Sequence, residues 1–187
     1  MASKKETKKD KIIKFIQEHY LYFMMYACFG WCYEIILEVA IYRWGFCDRG
    51  VLFGPYCPVY GFGALLFIFL VRPIIKNKPK LKQLLLIPVV FVLSALVATA
   101  LELFTSYLCE WFTGSWPWQT YTEYAVNFQG RIALSPSIRF GIGGVLFLYV
   151  LQPIFEKLIN KLDKKKLNIV FFIVLGLFIL DFLQFLL

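Results

Sequence analysis

"QLLLIPVVFVLSALVATALELFTSYL", Gln83 to Leu108, is twenty-six residues long and holds one charged residue, Glu102. A helix rises about 1.5 Å per residue, so roughly 20 apolar residues cross ~30 Å of hydrocarbon. This run is long enough, and its apolar positions show no alternation of the kind a barrel strand requires. It reads as a membrane-spanning helix. Serine, alanine and glutamate recur along one stripe of it, Ser94, Ala98, Glu102 and Ser106, with Cys109 beyond. Small residues let helices approach closely, and polar ones bond across the contact.

Four further runs share this character: Tyr20 to Tyr42, Pro58 to Ile75, Ser137 to Phe155 and Asn168 to Leu186. The whole chain has 187 residues, 60% hydrophobic and 17% charged, with a mean hydropathy of +0.67. Soluble domains are nearer 45–50% apolar and about 25% charged. The expected fold is therefore an all-α, polytopic membrane bundle of five helices. Residues 1–17 form a basic tail, and residues 18–187 a single five-helix transmembrane domain. The tail resembles the n-region of a signal sequence without a cleavage site, so an uncleaved signal anchor is expected. No linker, low-complexity stretch or clear repeat is evident.

Charge sets the expected orientation. All fifteen lysines lie in the N-terminal segment, between spans two and three, or between spans four and five, and Arg72 joins them. Arg43, Arg49, Arg131 and Arg139 lie at the opposite ends of the spans. The positive-inside rule then puts the N-terminus in the cytoplasm and the C-terminus outside, in a multi-pass protein of the cell (plasma) membrane. The net charge of +8 reads as topology and contact with the lipid bilayer, not nucleic-acid binding.

Ionisable residues inside the spans mark candidate function, because a charge in hydrocarbon is costly and faces protein or water. Glu34 and Glu38 lie in span one, Glu102 in span three and Asp181 in span five. Trp31, Glu34 and Glu38 share a stripe by their spacing. Gly141, Gly143 and Gly144 give span four a close-packing surface. An outward-facing polar pocket between spans one, three and four is expected, with carboxylates on two walls and guanidinium groups at its rim. The competing structural reading is that Arg49 or Arg131 pairs with Glu34 or Glu102 to pin a loop.

Two loops flank this pocket. In "RGVLFGPYCPVYGFG", Arg49 to Gly63, Gly50 and Gly54 permit unusual backbone angles, while Pro55 and Pro58 stiffen the chain. Pro58 suits the first turn of span two. Gly61 and Gly63 allow close approach of a neighbour. In "NFQGRIALSPS", Asn127 to Ser137, Asn127 and Arg131 are recognition groups around Gly130. The aromatic residues Trp111, Trp116, Trp118, Tyr121 and Tyr124 read mainly as interfacial anchors.

The cysteines constrain little. Cys28 and Cys32 are one helical turn apart inside a span. Cys47 and Cys57 share a loop and admit a bridge, and the odd count of five cysteines leaves at least one thiol, Cys109 or another, unpaired within a monomer. His19 is the one histidine and sits far from other metal-ligand types, so no metal and no cofactor are expected. No nucleophile–base pair is recognisable, and Cys57 is the one candidate nucleophile. The chain has no Walker motif.

"GWCYEIILE", "RGVLFGPYCPVYGFG", Glu102 and "NFQGRIALSPS" together resemble the CmpB-type ABC-transporter permease family, to which the transmembrane protein 229 group is related. The resemblance runs from Phe29 to Pro153. It places Trp31, Glu34, Arg49, Gly50, Gly54, Pro55, Pro58, Tyr60, Gly61, Glu102, Asn127, Gly130 and Arg131 at signature positions. Asp48, Ala133, Arg139 and the run Trp118-Gln119-Thr120-Tyr121 depart from it. The resemblance implies a permease subunit for a small polar or amphipathic solute, with a separate ATPase partner. The binding residues expected are Glu34, Arg49, Glu102, Asn127 and Arg131, with Gly50, Gly54, Pro55, Pro58 and Gly61 shaping the loop. Five spans are few for a pathway, so a homo-oligomer or further subunits are expected. The cytoplasmic loops, "KNKPKLK" and "NKLDKKK", offer no hydrophobic coupling helix. The same charges admit a membrane-embedded enzyme or lipid-headgroup-binding protein, or a small structural or regulatory membrane subunit.

Overall fold

The computed structural model describes residues 7–43, 45–46 and 52–186. Arg49 and Gly50 lie outside the described residues, as do Cys47 and Asp48, so the Cys47–Cys57 bridge has no structural account. The described chain is almost wholly helical. Five helical stretches are long and apolar enough to span a membrane: Lys8–Ile41, Pro58–Ile75, Ile87–Thr113, Leu134–Asn160 and Lys164–Leu186.

Span one is α1 (Lys8–Ile36), prolonged by a π-helical turn at Leu37–Tyr42. It starts well before Tyr20. Thr7 caps it, accepting from the Asp10 N–H while the Asp10 carboxylate accepts from the Thr7 N–H, a reciprocal cap that satisfies two terminal donors. Most of the expected tail is thus the opening turns of α1.

Span two comprises α2 (Pro58–Leu66), a π turn (Phe67–Val71) and α3 (Arg72–Ile75). Span four is built alike: α6 (Leu134–Leu146), a π turn (Phe147–Leu151) and α7 (Gln152–Asn160). Pro73 and Pro153 each follow their π turn closely. A proline inside a helix lacks a donor and its ring crowds the preceding turn. A widened π turn gives that ring room.

Between them come α4 (Lys80–Leu85) and α5 (Ile87–Thr113), which is span three. α4 is short, and Leu81, Leu84 and Leu85 on it are exposed. The lysine-rich loop therefore does carry a small apolar helix, hidden in the sequence by its alternating lysines. Gly114 ends α5 in the left-handed region, φ +78°, a conformation glycine adopts without penalty. Span five is α8 (Lys164–Leu186). The Asp163 side chain accepts from the Lys166 N–H at 2.8 Å. That hydrogen bond and the nearby Lys166 charge hold the Asp163 carboxyl below its usual range.

The chain forms two compact units. One comprises residues 1–65 and 155–187, the other residues 66–154. In the first, the core gathers Phe23, Met24, Ala27, Leu52 and Tyr56, with Val174 and Phe178 of α8 packed on it. Gln17 donates to Asn168 at 2.8 Å, tying α1 to α8. In the second, Val71, Ile75, Val90 and Leu148 form the core, flanked by Phe67 and Phe147. Gly144 lies so close to Ser94 that a Cβ there would overlap it.

Candidate functional site

In the first unit, Glu34 is half-buried on α1 and accepts a hydrogen bond from the Tyr60 hydroxyl. The Tyr60 ring sits directly over Gly30, where any Cβ would collide with it. Glu38, one turn further, is buried. Gly61 lies against Phe23, with an added Cβ meeting its ring at 2.5 Å and its carbonyl at 2.7 Å.

The loop before span two is fastened from span five. Asp181 accepts from the Phe53 N–H at 3.1 Å, the Gly54 N–H at 3.0 Å and the Tyr56 hydroxyl. A carboxylate that collects several donors forms strong charge-assisted bonds. Burial pushes the Tyr56 phenol well up, and the Asp181 charge pushes the same way. Gly54 does not occupy the left-handed region. It is glycine for space, because a side chain there would run into the Tyr56 ring. Pro55 follows on the surface and Pro58 opens α2. The Cys57 N–H bonds the Ala27 carbonyl at 3.0 Å.

In the second unit, Asn127 and Arg131 belong to a hairpin, β1 (Asn127–Phe128) with β2 (Ile132–Ala133), antiparallel. Asn127 shapes its turn. Its side chain donates to the Tyr124 carbonyl and accepts from the Gly130 N–H. Gln129 and Gly130 both have positive φ, 54° and 64°. The Trp116 and Trp118 indoles donate to the carbonyls of Gly130 and Arg131 at 3.0 and 2.8 Å. These two tryptophans therefore brace the hairpin; the anchoring reading suits Trp111, which is 79% exposed.

Arg131 is 7% exposed. Its guanidinium lies between the Tyr107 and Trp116 rings, 4.1 Å from each centroid. It pairs with Glu110 and reaches the Ser106 hydroxyl at 3.4 Å. Such stacking suits the planar guanidinium and strengthens when desolvated. Arg131 thus clamps the hairpin onto the end of α5.

Glu102 is different. One carboxylate oxygen accepts from the Tyr121 hydroxyl at 2.8 Å. The other, Oε2, is buried without a hydrogen-bond partner among the described residues, as is the Ser94 hydroxyl on the same stripe. Burial raises the Tyr121 phenol well above its usual range, and the neighbouring Glu102 adds to the effect. Arg139 bonds the Tyr124 and Ser135 hydroxyls at 2.8 and 3.2 Å. Beside it lies a shallow groove of about 340 Å³ floored by Val126, Leu134 and Ile138.

Glu34 and Glu102 each receive a tyrosine hydroxyl, which sequence reasoning did not assign. Tyr121 was legible only as an aromatic residue of a loop. Asp181 was legible as an intramembrane acid, but its loop partners lie some 125 residues away. No group of histidine, cysteine and carboxylates able to hold a metal occurs among the described residues.

The family model described as "Putative ABC-transporter type IV" matches residues 21–186. This chain belongs to that family. With five helices among its described residues that are long and apolar enough to span a membrane, it is a membrane transporter-like protein. No curated protein and no solved structure matches it.

Proposed function

We propose that the chain is the membrane-spanning subunit of a transport complex of the plasma membrane, moving a small polar or amphipathic solute. The lysine-rich ends face the cytoplasm, so the N-terminus is inside and the C-terminus outside. The observation that carries this reading is Glu102: a carboxylate within a spanning helix, with one buried oxygen that has no hydrogen-bond partner among the described residues. An intramembrane acid of that kind is costly unless it serves a ligand. Ser94 extends the polar stripe along the same helix.

Hydrolysis comes from a separate ATPase subunit. The exposed leucines of α4 at the lysine-rich end give it an apolar contact. A homo-oligomer or further subunits complete the pathway.

The test is purification of the full chain from native membranes in mild detergent, with everything retained identified by mass spectrometry. An ATPase at stoichiometric level, weakened by Leu81→Glu, together with a small solute lost in Glu102→Gln, is expected. A preparation without ATPase or solute overturns the reading. A retained phospholipid lost in Arg139→Gln would instead favour a lipid-headgroup-binding protein, because the Arg139 groove joins a guanidinium and two hydroxyls to an apolar floor.

A further inference from the structure

The π turns of spans two and four fall at Phe67–Val71 and Phe147–Leu151, each 80 residues apart position by position. The sequences around them align at that same shift. "GFGALLFIFLVRPI", residues 61–74, and "GIGGVLFLYVLQPI", residues 141–154, share both glycines, the Leu-Phe pair and the closing Pro-Ile. Ile68 and Leu148 are buried in both, as are Gly61 and Gly141.

Spans one and three align at a different constant shift, 68 residues. Phe23 maps onto Phe91, and Glu34 onto Glu102. Burial agrees at some of the mapped positions: Tyr22 and Val90, Tyr26 and Ser94, and Glu38 and Ser106 are buried, and Glu34 and Glu102 are half-buried, whereas Leu21 and Met24 are buried where Val89 and Val92 are exposed. The two shifts meet in one contact. A Cβ on Gly61 meets Phe23 at 2.5 Å, and a Cβ on Gly141 meets Phe91 at 2.6 Å. The intervening loops echo each other too, with Arg49 before Leu-Phe-Gly-Pro and Arg131 before Ala-Leu-Ser-Pro.

Chance does not readily align sequence, helix irregularity and a specific ring-on-glycine contact at fixed shifts. We infer that spans one–two and three–four are two copies of one span–loop–span unit, and that each copy holds an equivalent acceptor site, Glu34 in one and Glu102 in the other, for a hydrogen-bond-donating group, ammonium or hydroxyl. Internal repeats are a common way to build transporters. Each carboxylate is steadied by one tyrosine hydroxyl. That leaves acceptor capacity, since an ionised carboxylate has about four lone-pair sites. The claim of acceptor sites rests on the transport reading above; the duplication does not.

Two measurements separate them. In the first, residues 61–74 of the full chain are replaced by the sequence of residues 141–154. Equivalent copies should accept the exchange, with monodisperse protein and a melting temperature within about 10 °C of the native chain, the shift of one or two modest packing changes. The same segment replaced by residues 167–180 of span five should collapse the yield. If both replacements fail alike, or both fold alike, the duplication is overturned.

In the second, small molecules retained by the native chain, Glu34→Gln, Glu102→Gln and the double variant are extracted and weighed. Losing a charge-assisted bond should weaken the altered site roughly tenfold, so each single variant should retain about half as much of a donor-bearing molecule and the double variant little. Loss in Glu102→Gln alone, or a retained molecule with no donor, overturns the equivalent sites. Retention unchanged in all three overturns the transport reading and the acceptor sites with it, while the segment exchange still decides the duplication.

Discussion

The two span–loop–span regions share a frame and differ in how the loop is closed. In the first, the loop is held from outside the pair, by Asp181 of α8 taking the Phe53 and Gly54 amides and the Tyr56 hydroxyl. In the second, the loop holds itself, through a hairpin whose Arg131 is stacked between Tyr107 and Trp116 and paired with Glu110. The carboxylates differ in the same sense. Tyr60, which steadies Glu34, comes from the paired span, whereas Tyr121, which steadies Glu102, comes from the loop. The difference teaches that the helical frame is fixed by packing glycines on rings, while the loops are free to find separate solutions. Span five is what the first loop needs and the second does not.

The hardest test of that contrast is Arg131→Ala. It empties the stack and strands Glu110, so roughly 3 kcal/mol of stability should go. Chemical unfolding in mixed micelles measures it. A loss below 1 kcal/mol would mean that the hairpin does not depend on its clamp.

The shared frame is probed by Gly61→Leu and Gly141→Leu. Each drives a side chain into a phenylalanine ring, and overpacking of this kind costs about 2 kcal/mol. Similar losses of melting temperature in both variants are expected. A sharp effect at one position and none at the other would break the comparison.

Asp181→Asn keeps the shape but removes the charge and replaces one of the two acceptor oxygens by an NH2 donor, so at least one of the three bonds is lost. About 1.5 kcal/mol should be lost, together with faster proteolysis near Phe53. Cleavage in the second loop should stay at its native rate.

The smallest effects belong to Tyr121. Tyr121→Phe removes one hydrogen bond, about 1 kcal/mol, and leaves both carboxylate oxygens of Glu102 to other donors. The phenol also carries a pH dependence of known sign. Its folded-state value is raised, chiefly by burial, so its contribution is full below the ordinary phenol value near 10 and fades as pH rises beyond it. Stability measured from pH 8 to 11 should fall less steeply in Tyr121→Phe than in the native chain. Identical slopes would show that the hydroxyl is not held as described.

Much of the frame was legible in the sequence. Span two is bounded by Pro58 and Ile75 in both readings, because a proline start and a lysine-rich end punctuate a continuous apolar run. The start of α1 at Lys8 was not, since lysines at its surface look like a tail until the Thr7–Asp10 cap is seen. The site was legible only as residue types. Glu34 and Glu102 stand out because acids in apolar runs are rare, but their tyrosine partners depend on packing and loop folding. Arg131 announces itself as a charge, yet the rings that stack on it come from residue 107 within span three and residue 116 in the following loop, and spacing alone does not bring them together. The proposed repeat is hidden in the sequence because its two constant shifts differ, 68 before the loop and 80 after it, and the resulting gap masks either half from the other.

The π turns have a consequence for chain length. A π turn holds one residue more than α geometry requires. Deleting a residue elsewhere in a span swings everything beyond it by about 100° and turns core-facing side chains toward lipid. Deleting one within residues 67–71 or 147–151 should let the backbone close into an ordinary α turn, with the flanking faces keeping their direction. These are the places where spans two and four can shed a residue and still present the same surface to their neighbours.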